Sequence, residues 1–94
     1  MEALKLLSDA CFKDNSNAEA YCLRGQTYRD MEDYQRALYD FTVAIRVEQD
    51  YLNLHGGSKS KLAEYNYNAG YQHYNLQQFD EALNYYNESI RLNS

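Results

Sequence analysis

Ninety-four residues allow one small domain, and a net charge of −5 withholds the basic patch that nucleic acid requires. Eleven Tyr, three Phe, no Trp and no Pro accompany 45% apolar and 24% charged residues, the balance of a folded chain whose helices no proline breaks. No apolar run reaches the length of a membrane span, and Leu4, Leu6 and Leu7 sit among Glu2, Lys5 and Asp9 rather than in a signal peptide.

The chain opens on Ala3, Leu4, Leu7, Ala10 and Cys11, whose steps of three and four mark one face of a helix. "KDNSN" then makes a turn, and Asn17 or Ser16 caps the next helix. That helix, residues 18–31, carries Tyr21, Leu23, Gly25 and Tyr28. A link of Glu32 and Asp33 is too short for anything but an antiparallel hairpin. Its second arm, 33–47, presents Tyr34, Ala37, Leu38, Phe41, Ala44, Ile45 and Val47.

"EQDYLNLHGGSKSK" follows, with His55-Gly56-Gly57-Ser58 the one plainly loop-like run. We expect an inserted loop over 51–62, with the next helix starting early, at Ser58 or Ser60. The second hairpin pairs residues 63–76 (Tyr67, Ala69, Gly70, Tyr71, Tyr74) with 78–92 (Phe79, Ala82, Leu83, Tyr86, Ile90, Leu92) across Gln77 and Gln78.

These segments repeat. Ala3, Ala37 and Ala82 hold the same place in three helices, 34 and then 45 residues apart, so eleven extra residues lie between the hairpins. Gly25 and Gly70 each stand twelve residues before the matching alanine. A glycine inside a helix costs about 1 kcal/mol against Ala. The expected return is close backbone approach, glycine facing alanine. Stacked hairpins bury one another's apolar faces, at roughly 1.5–3 kcal/mol per large side chain. The last helix has nothing after it in this sequence: either the chain is cut from a longer array, or Leu83, Tyr86, Ile90 and Leu92 self-associate, as in a homodimer.

A 34-residue helix–turn–helix period with Tyr21, Gly25, Tyr28, Tyr34, Ala37, Phe41 and Ala44, and again Gly70, Phe79, Ala82 and Tyr86, resembles the tetratricopeptide repeat. The resemblance spans a half-repeat helix at 1–14 and repeats at 18–50 and 63–94. Asn66, His73 and Ser89 depart from it, standing where Tyr21, Tyr28 and Ala44 stand in the first repeat, and the proline that usually follows is replaced by Gln49 and Ser94. It implies an all-α, right-handed superhelical stack of five helices, B, A-B, A-B, and a concave groove lined by the A helices. By register that groove presents Glu19, Cys22, Leu23, Gln26 and Arg29, then Glu64, Tyr67, Asn68, Tyr71, Tyr74 and Asn75. Some family members clamp an acidic chaperone tail with basic residues there. Asn68 matches one clamp position, but Glu19, Cys22, Leu23 and Gln26 are not the basic set, which argues against that ligand.

No catalytic constellation appears. His55 and His73 lack metal-ligand spacing, Cys11 reads as a small core residue, and Cys22 has no basic neighbour to activate a thiolate. "GGSKS" lacks the first glycine of a phosphate loop. The reading is a cytoplasmic, non-enzymatic scaffold without cofactor or metal. It binds a peptide segment of another protein through its groove, the alternative being a homo-oligomerisation unit, a fragment of a longer tetratricopeptide repeat protein, that docks through the last helix.

Overall fold

A computed structural model describes residues 2–93. Five helices follow in order: α1 (Glu2–Lys13), α2 (Ala18–Asp30), α3 (Tyr34–His55), α4 (Ser60–Asn75) and α5 (Phe79–Leu92). Among the described residues there is no strand. Each helix packs chiefly on its neighbours in the chain: α1 on α2, α2 on α3, α3 on α4, α4 on α5. The core runs through Ala18, Cys22, Ala37, Phe41, Ala44, Tyr65 and Ala69, so α4 closes over the α2–α3 hairpin.

The two hairpins turn by the same device. Glu32 and Gln77, equivalent residues, both have φ of 62°. Around the first, Asp33 N–H donates to the Tyr28 carbonyl at 2.9 Å and Glu32 N–H to that of Arg29 at 2.8 Å. Around the second, Gln78 donates to His73 at 2.8 Å and Gln77 to Tyr74 at 2.9 Å. These paired bonds are the Schellman closure of a helix C-terminus, usually built on glycine. At α2's start, Asn17 accepts from the Ala20 N–H at 3.0 Å, the cap expected of it.

The period break takes a different form from the loop expected over 51–62. α3 continues to His55, 22 residues in all, and α4 begins at Ser60. Only 56–59 lies outside helix, so the extra length is about two further turns of α3 and, in line with the expected early start at Ser60, most of a turn at the beginning of α4. Nothing in 48–55 breaks a helix, and the stop comes from Gly56 (φ 71°, ψ −169°) and Gly57 (φ 119°). Backbone of the Gly56 kind is open essentially to glycine alone. His55 therefore sits on a helix, its ring 4.6 Å from Tyr51.

The glycine–alanine contact is likewise not what the glycines serve. A Cβ on Gly25 would stand 2.8 Å from the Phe41 ring, and one on Gly70 2.9 Å from the Tyr86 ring. Each glycine makes room for an aromatic side chain of the next helix. The departures in the second repeat are absorbed by hydrogen bonds. Asn66 donates to the Leu62 carbonyl at 2.9 Å, Ser89 to that of Ala63 at 2.8 Å, and His73 stacks on Tyr85 at 5.1 Å.

Candidate binding face on the second hairpin

The residues assigned to the groove divide into two groups. In the first hairpin they are spent on the protein itself. Cys22 is 3% exposed, and both Gln26 and Asn68 direct amide N–H groups at its sulfur, at 3.7 and 3.8 Å. Glu19 is ion-paired to Lys61 of α4 at 3.1 Å, and Arg29 to its neighbour Asp30 at 3.3 Å. Cys22 and Asn68 thus form part of the buried seam between α2 and α4 and are no surface for a ligand. Leu23 is exposed, and Asn75 half-buried. Burial also pushes the Cys22 thiol up to about 11, the opposite of an activated thiolate.

In the second hairpin Tyr67, Tyr71, Tyr74 and Glu64 are open to solvent. Tyr67 meets Tyr86 with ring centroids 5.5 Å apart, Tyr71 stacks with Tyr74 at 6.4 Å, and Tyr74 meets Phe79 edge-on at 5.5 Å. Leu83 and Ile90 lie on α5, 57% and 66% exposed, while Tyr86 and Leu92 are half-buried. Partial burial raises the Tyr86 phenol, with the neighbouring Tyr67, Tyr71 and Tyr74 adding to it. The groove tyrosines therefore meet α5 through Tyr86, one of the residues read as a self-association end, and form an aromatic face across the two helices. Phe79 belongs to it as well; its place in the repeat pattern was plain, but nothing local marked it as surface.

Among the described residues no helix lies over this face. Two counterparts 45 residues earlier are covered: Phe41, the equivalent of Tyr86, is 0% exposed and packs in one cluster with Tyr65 and Ala69 of α4, and Cys22, the equivalent of the 54% exposed Tyr67, is sealed. An internal copy of the same hairpin shows what such a face does when a helix is laid on it.

A second arrangement lay beyond the sequence reading. Arg24 donates from Nε to Asp40 Oδ2 at 2.9 Å and from Nη2 to Oδ1 at 2.7 Å. A third nitrogen reaches Ser8 on α1 at 3.4 Å, and the guanidinium lies 5.6 Å from the Tyr21 ring. Asp40 is fully buried, and the bidentate carboxylate strengthens the hold of Arg24 on its proton. The second repeat has Ala69 and Tyr85 at these positions. The one available signal was a basic and an acidic residue at core positions of the first repeat only.

Among the described residues no three His, Cys, Asp or Glu side chains gather as metal ligands would, and no helix is long and apolar enough to cross a membrane. Tetratricopeptide repeat family models match residues 18–51 and residues 63–94. No curated protein and no solved structure matches the chain.

Proposed function

Because the chain belongs to the tetratricopeptide repeat family, whose members mediate protein–protein interaction and are typically non-enzymatic scaffolds, we propose that it captures a segment of another protein on the aromatic face of α4 and α5. One observation carries this reading. Tyr67 stands open where its equivalent, Cys22, is sealed beneath α4, and Tyr86 is half-buried where its equivalent, Phe41, is fully enclosed. Tyrosine suits such a face, since its ring offers rigid contact area and its hydroxyl tolerates water while the site is empty. Tyr67, Tyr71, Tyr74, Phe79, Leu83 and Tyr86 supply the contact area, and Glu64 and Asn75 the polar margin of the groove.

The test is a selection of displayed helical peptides on the wild-type chain, rescored on a Tyr67→Ala, Tyr74→Ala double variant. Both side chains are exposed, so the variant keeps its fold. Selected peptides should lose most of their affinity for it. Ligands that bind both forms equally would place the binding surface elsewhere.

Exposed Leu83 and Ile90 favour a second reading, in which the same face docks on another copy of the chain. Light scattering across a dilution series separates the two, since only self-docking gives a mass that rises with concentration. Two free, buried cysteines support a cytoplasmic setting for either.

A further inference from the structure

α1 lies on the first hairpin without entering its core. The buried cluster is built from α2, α3 and α4, and the half-buried apolar side chains packed against it come from α2, α3 and Tyr85 of α5. Among the described residues α1 supplies none of them. Cys11 is the one buried residue of α1; Leu4, Leu7 and Ala10 are half-buried, and Leu6 and Phe12 stand open to solvent. α5, at the other side of the stack, is held differently. It buries Ala82 and Ser89, and the Ser89 hydroxyl donates to the Ala63 carbonyl at 2.8 Å.

The polar ties of α1 are as sparse. Among the described residues no ion pair joins it to another helix, and its one side-chain hydrogen bond to the hairpin is the long contact from Arg24 to Ser8, at 3.4 Å. A cleft of about 380 Å³ separates Ser8, Cys11 and Phe12 of α1 from Tyr21, Arg24 and Tyr39 of the hairpin. Across it, Cys11 lies within electrostatic reach of both Arg24 and Asp40. The boundary with α2 is independent of α1. Asn17 caps α2 from within the link, and Asp14 accepts from the backbone and hydroxyl of Ser16, so the turn closes on itself.

We infer that α1 is a lid: it lifts from the first hairpin as a unit, about the turn at 14–17, while α2 to α5 stay folded, and opens the Arg24–Asp40 pair to water. Segments with few buried apolar contacts open at a lower free energy than the fold as a whole. In the closed state the ion pair is interior. In the open state it is a charged patch flanked by Tyr21 and Tyr39, so α1 governs whether this side of the chain presents charge.

Thiol labelling reads the motion, because Cys11 and Cys22 are equally sealed, each 3% exposed, yet one belongs to α1 and the other to the α2–α4 seam. The intact chain is treated with a small disulfide reagent in rising urea below the unfolding transition. Tryptic mass spectrometry separates the sites, since Lys13 divides them. Each rate is taken relative to that of the same cysteine in the urea-unfolded chain. On this scale Cys11 should react about tenfold or more faster than Cys22. Its urea dependence should be much shallower, because lifting one helix exposes less surface than unfolding. Asp9→Pro, at an exposed position within α1, breaks that helix; it should release Cys11 and leave the Cys22 rate within about twofold. Equal relative rates and urea slopes at the two cysteines of the wild type would mean that α1 leaves only with the whole fold, and overturn the inference. A Cys22 rate that rises together with that of Cys11 in Asp9→Pro would overturn it too, by showing that the core depends on α1.

Discussion

Arg24 and Asp40, sixteen residues apart, close a bidentate ion pair inside the first hairpin, with Asp40 shut off from solvent. Removing the carboxylate alone strands a guanidinium against apolar neighbours. Asp40→Ala should cost about 3 kcal/mol, the usual penalty for a half-removed buried pair. Replacing both partners by the residues of the second repeat, Arg24→Ala with Asp40→Tyr, should recover at least half of that loss. Urea denaturation of the wild type and the two variants measures it, and a loss below about 1 kcal/mol for Asp40→Ala would deny the pair a structural role.

The two helical glycines should respond unequally to alanine. The Phe41 ring that a Cβ on Gly25 would strike is wholly enclosed. The Tyr86 ring opposite Gly70 borders the open face and has room to swing outward, although the Tyr85 Cβ at 3.1 Å must also give slightly. Alanine returns about 1 kcal/mol of helix propensity at either site. Gly25→Ala should still destabilise, by about 1–2 kcal/mol through overpacking, while Gly70→Ala stays within about 1 kcal/mol of neutral. Thermal melts of both variants would show the order, and equal shifts would contradict it.

At the hairpin turns the preference reverses. Glu32 and Gln77 hold a left-handed backbone that costs a side chain roughly 1–2 kcal/mol. Glu32→Gly and Gln77→Gly should each stabilise, by up to about 1 kcal/mol once the greater freedom of the unfolded chain is counted. Gly56→Ala, in a region open only to glycine, should destabilise by about 1–3 kcal/mol. Melting temperatures that move the same way in all three variants would refute this account of the turns.

Alkaline pH should loosen the fold. Burial raises Cys22 to about 11 from an ordinary thiol value near 9, and raises Cys11, Tyr65 and Tyr86 in the same direction. Above about pH 9 the unfolded chain releases the Cys22 proton while the folded chain keeps it. The native state then binds more protons, and stability falls as pH rises. The Cys22 contribution is whole below pH 9 and lost by about pH 11. Urea midpoints at pH 8 and 10.5 should show the drop, and Cys22→Ala should show a smaller one. A flat profile would mean that these groups are solvated.

How much of this was legible beforehand depends on the range of each interaction. The five helices could be read from spacing because steps of three and four place residues on one side of their own helix, whatever lies opposite. Asn17 as a cap and the short links at Glu32 and Gln77 were equally local. The continuation of α3 through 48–55 was missed because the glycines drew the boundary inward, although nothing before Gly56 opposes a helix.

The sequence by itself determined the two copies of the hairpin, their register and the order in which they stack, since each follows from periodicity and turn length. Only the tertiary structure decided which of the repeated side chains are covered. Cys22 and Tyr67 occupy the same place in their helices, and one is sealed while the other is open, because α4 lies over the first and, among the described residues, no helix lies over the second. Periodicity orients a side chain around its own axis, but burial and ion pairing depend on what another segment brings within a few ångströms of it.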